Sequence, residues 1–294
     1  MKHVKSFDFS NWKQNPTDDE TKDCVQSLEN GQVLYFPNLS FQVKAQEQES
    51  FSSNLVKAGR KSISYNLLSD CMKACEANAA TQNIIHKMMN RFASQSLEFV
   101  GRAIPNYKEH LILGRTSFRP VEIKGHQNPS YKKDGGLLHI DSFPSTPTNG
   151  KRILRFFANV NPFDISRIWR LGESHKQVIK RFLPQVKNPI FGSRTLMNRF
   201  GITKSYRILY DHYMLHIHNK MKMDQSYQNK VSQEVLEFPP MTCWMAFTDQ
   251  VSHAVISGQY AFEQSFYLPI EAQDNPEKSP LNYMEKLLQR SLMG

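Results

Sequence analysis

Beyond residue 111 the chain breaks into short β-rich runs cut by Gly, Pro and Asn. They are LILGRTSFRPVEI, LLHID and RILRFFANVNP, then, after a long gap, TCWMAFTD, VSHAVISG and FEQSFYLP. Short strands bounded by turn residues at this spacing are the pattern of a sandwich or jelly roll. The gap, about residues 164–235, is rich in His, Lys, Arg, Met and Tyr and reads mostly as helix. The expected fold is α+β with a mainly β core. A jelly roll (double-stranded β-helix) spans 111–294 and carries the helical insert, and residues 1–110 form a helical and mixed region packed on it.

The N-terminal region has its own punctuation. DDETKDCVQSLENG (18–31) has acidic caps, spaced apolar residues and a Gly stop, the signature of a short helix. QVLYFPNLSFQV (32–43) is aromatic and β-branched and reads as strand. Ile84, Ile85, Met88, Met89, Phe92 and Val100 form one stripe of an amphipathic helix over 81–100. The tail, SPLNYMEKLLQRSLMG, reads as a closing helix.

Composition bounds the class. Hydrophobic residues are 39% and aromatics 11% of 294 residues, enough for a substantial core. No apolar run approaches the roughly 20 residues of a membrane helix, and MKHVKSFDFSNWKQ lacks the apolar stretch of a signal peptide. The expectation is therefore a cytoplasmic protein with reduced cysteines; Cys71 and Cys75, four apart, would share a helix face as small core residues. Charge is uneven. Residues 151–235 hold sixteen Lys and Arg against five Asp and Glu, a local surplus of eleven, whereas the whole chain is +10. A localised basic field attracts an anionic partner such as a lipid surface, a phosphorylated substrate or nucleic acid.

The candidate chemistry lies in LLHIDSFPS. On a strand, His139 and Asp141 point to one face and Ile140 to the other. One imidazole and one carboxylate thus converge at a strand end. A third ligand would complete a facial set of two histidines and a carboxylate, which suits Fe(II) and leaves positions open. His253, in TDQVSHAVISG, stands on a strand that a jelly roll can bring alongside. An HxD pair alone ends many ordinary strands; the distant strand histidine in a β-rich frame strengthens the signal. His212, His216 and His218, in DHYMLHIHN, are rivals, and His212 and His216 could share a helix face, but no HExxH is present. The absence of GxxxxGK[ST], GxGxxG and GxSxG removes the common nucleotide-binding and serine-hydrolase classes.

HIDSFPSTPTNGKRILRFFANVNP and WMAFTDQVSHAVISGQYAFEQSFYLP resemble the Fe(II)/2-oxoglutarate-dependent oxygenases and, within them, the Kdo hydroxylases of Gram-negative bacteria. The resemblance runs from about Thr116 to Pro269 and is looser in the insert. It implies Fe(II), 2-oxoglutarate and O2 as metal, cosubstrate and oxidant. The substrate it implies is the 3-deoxy-D-manno-oct-2-ulosonic acid (Kdo) sugar of Kdo-lipid A, hydroxylated at position 3 to give Ko in lipopolysaccharide inner-core assembly. It makes His139, Asp141 and His253 the iron ligands, and Asp141 favours hydroxylation over halogenation. It further implies an anionic glycolipid partner and a peripheral place on the cytoplasmic face of the inner membrane.

The arginine that many members carry shortly after the second histidine is missing, because Phe262, Glu263, Gln264 and Ser265 stand there. A buried carboxylate of 2-oxoglutarate still needs a cation. Arg155, inside a core-like strand, is the first candidate, Arg119 the second and Gln264 a neutral helper; Arg152 is also near. Arg167 and Arg170, with Lys176, Lys180 and Arg181, would border the site and meet the anionic glycolipid. Two other readings fit the residues: a 2-oxoglutarate oxygenase with a small-molecule, peptide or nucleic-acid substrate, or a non-catalytic jelly roll binding anionic glycolipid. No aromatic-and-basic nucleic-acid motif is present, so no nucleic-acid partner is expected. The oligomeric state is left open.

Overall fold

A computed structural model describes residues 3–123 and 130–294. The strands among them are β1 (Val4–Ser6), β2 (Val33–Phe36), β3 (Ile63–Asn66), β4 (Cys71–Lys73), β5 (Ile112–Arg119), β6 (Arg152–Asn159), β7 (Arg167–Ser174), β8 (Glu234–Phe238), β9 (Cys243–Phe247), β10 (Val251–Ser257) and β11 (Ala261–Leu268). The α-helices are α1 (Asp18–Glu29), α2 (Ala45–Glu49), α3 (Ala79–Ala103), α4 (His175–Phe182), α5 (Ser193–Arg199), α6 (Leu209–Met223), α7 (Gln225–Lys230) and α8 (Pro280–Leu288). The architecture is α+β. Eight strands form one sheet in the order β1-β2-β9-β6-β11-β5-β3-β4, and three form a second in the order β10-β7-β8.

Strand alternation assigns each residue to a layer. On β6 and β11, Phe156, Phe262 and Phe266 point outward, onto the buried stripe of α3 with Met88, Met89, Phe92 and Phe99. Phe157 points the other way and meets Trp244 of β9 in a stacked pair at 5.2 Å. Trp169 of β7 crosses Trp244 edge-on at 5.7 Å and Phe238 of β8 stacks on it at 4.1 Å, so the two sheets pack face to face. The outer side of the small sheet is covered by α4, α6, α7 and α8 through Val178, Ile179, Phe182, Ile217, Tyr227 and Met284.

Several expectations shift. The first helix is capped by Thr17, not by its aspartates: Thr17 and Glu20 exchange the reciprocal bonds of a capping box. The strand expected over 32–43 ends at Phe36, before Pro37. Cys71 lies exposed on β4 and Cys75 half-buried beyond it, so they share no helix face and no core position. The stretch read as a helical insert opens with β7, and only from His175 is it helical. Its arginines hid a two-residue period, with Arg167, Trp169 and Leu171 buried and Ile168 and Arg170 half-buried between them. The N-terminal stretch does more than pack on the core, because β1–β2 and β3–β4 extend both ends of the large sheet.

A buried charge locks the β6 end of the sandwich. Arg152 is fully buried; its Nε donates to Asp249 Oδ2 at 2.7 Å, its Nη1 to Gln273 at 2.9 Å and its Nη2 to Gln250 at 2.5 Å. Its guanidinium also lies 4.0 Å from the Phe247 ring centre. Asp249 and Gln250 form the turn from β9 to β10, so this cluster fixes where β10 begins. Removing one partner leaves a buried charge uncompensated. Arg152→Met is expected to cost about 3–5 kcal/mol in denaturant unfolding, and Asp249→Asn added to it should cost less than the two changes summed.

Candidate metal centre

Backbone pairing creates the site. Residues 137–141 run beside β10, where His139 N donates to His253 O at 3.0 Å and His253 N to His139 O at 2.9 Å. Asp141 N donates to Thr248 O at 2.8 Å, and the Gln228 side chain holds both backbone groups of Leu138 at 2.8 and 3.0 Å. Leu138 and Ile140 sink among the helices over the small sheet, which turns His139 and Asp141 into the space between the sheets. His139, Asp141 and His253 each offer one ligand atom, all within 4.8 Å of one another, and this is the one such His/Cys/Asp/Glu group among the described residues. His139 Nε2 stands 3.6 Å from Asp141 Oδ1.

The ring tautomers follow from the bonds. His139 Nδ1 lies 2.7 Å from Leu137 O and His253 Nδ1 2.8 Å from Val251 O. A carbonyl only accepts, so each Nδ1 carries the proton and each neutral ring presents a bare Nε2 lone pair. Burial pushes the His139 pKa well below the imidazole range, with His253 and Lys222 adding to it. Burial also lowers His253, against the opposing pull of Asp141. Burial raises Asp141 most strongly, but Arg155, His253, His139 and Thr248 together overcome it and hold the carboxyl below the usual carboxylate range. Asp141 Oδ2 lies 3.0 Å from Arg155 Nη2, yet no hydrogen-bond geometry satisfies that buried oxygen. Two neutral imidazoles and one ionised carboxylate, all buried and converging, fit a divalent cation that takes mixed nitrogen and oxygen ligands.

The three groups open on a cavity of about 300 Å³. Arg155 enters it between two carboxylates, with Nη1 2.9 Å from Glu263 Oε1 and Nη2 against Asp141. Glu263 in turn takes Arg119 through Oε2 at 2.5 Å. Burial would raise Glu263, and the two arginines overcome it and lower its pKa. Arg167 also lines the cavity and is buried; its Nη1 donates to Gly258 O at 3.1 Å, but no described carboxylate lies within 4.0 Å of it. Burial, with Arg119 near, lowers its pKa to about 9. Lys61, Lys132 and Lys222 also line it, with Glu122 and Asp134, so among the described residues six cationic and four anionic side chains face the cavity.

Other expected residues lie elsewhere. Gln264 follows Glu263 on β11, so it points to the opposite, helix-covered face. There its Oε1 accepts from Thr116 at 2.5 Å and its Nε2 donates to Ser265 O at 2.8 Å, outside the cavity. Arg170 is three residues after Arg167 on a strand, hence on the other face, where Nη2 donates to Gly136 O at 2.7 Å. It braces the turn leading into His139 and does not border the cavity. His212 Nε2 lies 2.9 Å from Lys187 O and its ring tilts against that of His216 at 4.4 Å, and neither joins a metal group among the described residues. Of the three rival histidines only His218 reaches the cavity, beside Lys222, which the sequence reading did not single out. His218 packs 5.1 Å from the His139 ring and donates from Nδ1 to Ile140 O at 2.7 Å, and Lys222 stands one turn further along α6. Their i, i+4 spacing was the available signal.

Buried neutral histidines make the metal-free protein acid-sensitive. Burial lowers His218 to about 4, helped by Lys222, and lowers His175 to about 3, helped by Arg152. The unfolded chain protonates these rings near pH 6.5 and the folded protein does not, so their contribution is complete above that pH and is lost as pH falls below it. Each ring steepens the loss by up to about 1.4 kcal/mol per pH unit. In denaturant titrations between pH 6.5 and 4, His175→Asn should flatten the profile by that amount.

The model of the 3-deoxy-D-manno-oct-2-ulosonic acid (Kdo) hydroxylase family matches residues 11–291. Among solved structures, the Kdo hydroxylase KdoO in complex with cobalt(II), a non-heme Fe(II) alpha-ketoglutarate-dependent dioxygenase, is 41% identical with a TM-score of 0.96, over 100% of this chain and 98% of that one. KdoO in complex with alpha-ketoglutarate and Fe(III) is 40% identical with a TM-score of 0.95, over 99% and 97%. Its apo structure is 40% identical with a TM-score of 0.96, over 99% and 98%. No curated protein matches the chain. With the match running over nearly its whole length, the chain belongs to the Kdo hydroxylase family.

Proposed function

We propose that this protein is an Fe(II)- and 2-oxoglutarate-dependent dioxygenase that hydroxylates Kdo. The observation that carries the proposal, beside the family itself, is a buried two-histidine, one-carboxylate set opening on a cationic cavity. His139, Asp141 and His253 would hold the iron, with Nε2 of each ring and a carboxylate oxygen as donors. When bound, iron and 2-oxoglutarate supply the oxidising power for hydroxylation, and the protein supplies orientation and exclusion of water. We read the two stacked sheets as a double-stranded β-helix with the metal set at one end.

The arginines divide their work by what they already touch. Arg155 keeps Asp141 ionised and is bridged through Glu263 to Arg119, so neither is an unspent cation. Arg167 is the buried guanidinium that forms no ion pair among the described residues, and it is the best placed to take the distal carboxylate of 2-oxoglutarate. Arg155 and Arg119 then shape that subsite from its floor. Lys222, Lys61 and Lys132 face the remaining space, where the carboxylate of a Kdo sugar would sit. The specific substrate proposed is Kdo-lipid A, hydroxylated at position 3 to give Ko. No helix among the described residues is long and apolar enough to cross a membrane, and the site proposed for the protein is the cytoplasmic face of the inner membrane.

The test is succinate release from 2-oxoglutarate by anaerobically prepared, Fe(II)-loaded protein on admission of air. Kdo-lipid A should stimulate it strongly and His139→Ala should abolish it. Stimulation by another acceptor in place of Kdo-lipid A would reassign the substrate, and lack of any turnover would overturn the enzyme reading. Arg167→Ala should raise the KM for 2-oxoglutarate by tenfold or more, the equivalent of about 1.5–3 kcal/mol for a charged hydrogen bond, whereas Arg170→Ala should leave that KM near its parent value.

A further inference from the structure

The surface between α4 and α6 carries large, exposed apolar side chains. Ile190 is 82%, Phe191 103%, Leu196 53%, Phe200 74% and Ile202 60% exposed. A single exposed apolar residue is ordinary, but five within thirteen positions of one excursion make a patch that marks an interaction surface. The same excursion carries Lys187, Arg194, Arg199 and Lys204, and residues 187–206 contain no Asp or Glu.

We propose that residues 187–206 are an interfacial anchor that seats the protein on an anionic lipid bilayer. Aromatic and aliphatic side chains would enter the headgroup boundary while the cations meet lipid phosphates, the arrangement by which amphipathic segments lie on a membrane. The patch is joined to the rim of the cavity. Lys204 N donates to Ser145 O at 2.9 Å, and the Arg207 guanidinium donates to Pro144 O. Pro144, with Ser142 and Phe143, lines the cavity, so a bilayer under the anchor lies beside the opening. That placement would let a headgroup sugar reach the site while its acyl chains stay in the membrane; this last step rests on the glycolipid reading above, and the docking itself does not. A second copy of the chain is the poorer occupant, because a two-fold contact would set four cations against four cations with no carboxylate in the segment to offset them. Nucleic acid would leave the aliphatic side chains without a role.

The metal-loaded full chain should co-sediment with phosphatidylglycerol–phosphatidylethanolamine vesicles that hold no Kdo, and not with phosphatidylcholine vesicles. High salt should weaken the binding. Arg199→Ala with Lys204→Ala should lower the affinity about thirtyfold, the equivalent of about 1 kcal/mol for each cation. Phe191→Ser with Phe200→Ser should lower it comparably, while both pairs keep the parent's cobalt(II) binding and its succinate release with a soluble, deacylated Kdo acceptor. Retention of that release with loss of vesicle binding and of turnover on vesicle-embedded Kdo-lipid A supports the anchor. Failure of the parent to bind anionic vesicles, unchanged binding by both pairs, or a dimer that the Phe pair turns into a monomer overturns it. Because sedimentation needs no turnover, it stands whether or not the enzymatic reading holds.

Discussion

Two backbone hydrogen bonds between His139 and His253 are the contact on which the site depends. They belong to an isolated antiparallel bridge, not to a long ladder, and lay a short irregular segment against the edge of β10. Once His139 is paired there, alternation places Asp141 on the same side, and the Thr248 carbonyl anchors it. The histidines then spend their Nδ1 protons on carbonyls two residues back, which leaves both Nε2 atoms bare and aimed inward. The metal set is therefore a product of main-chain geometry first and of side-chain chemistry second. The buried Arg152–Asp249 cluster keeps the start of β10 in register and so supports the bridge from behind.

Charge in the cavity is balanced as a chain. Arg119, Glu263, Arg155 and Asp141 alternate in sign over successive contacts of 2.5, 2.9 and 3.0 Å. In a buried space such alternation keeps every member ionised, because each loses water but gains an opposite charge. Its end is the carboxylate of the metal set, and its two positive charges are matched by its two negative ones, although Arg155 Nε keeps a donor without a partner. Arg167 makes no ion pair with this chain and only feels the charge of Glu263 and Glu122 at a distance.

Much of this could be read in the residues. The α+β class, the stripe of α3, the family and the trio His139, Asp141 and His253 were all visible, because each rests on a short local pattern or on one motif. What escaped had conflicting local signals. β7 reads RIWRLGES, and its arginines suggest a solvated helix, yet Arg167 is buried and its guanidinium donates to Gly258 O. Arg167 and Arg170 were paired by proximity in sequence, but a strand sends residues three apart to opposite faces, so one lines the cavity and the other braces Gly136. Gln264 stands where many members carry an arginine, and the same alternation puts it on the far side of the sheet.

The sequence by itself determined which residues could do the chemistry. The period-two runs, the HxD pair and a distant strand histidine single out the candidate ligands of a β protein, since ligand type and strand parity are local properties of the chain. Only the tertiary structure decided which cations are already spent and which are open. Glu263 neutralises Arg119 and Arg155 across strands far apart in sequence, α6 brings His218 and Lys222 to the cavity, and the 187–206 excursion lies beside its rim. These depend on which strands become neighbours, and that is settled by packing of Phe157, Trp169, Phe238 and Trp244 between the sheets, a contact among four elements that no local pattern encodes.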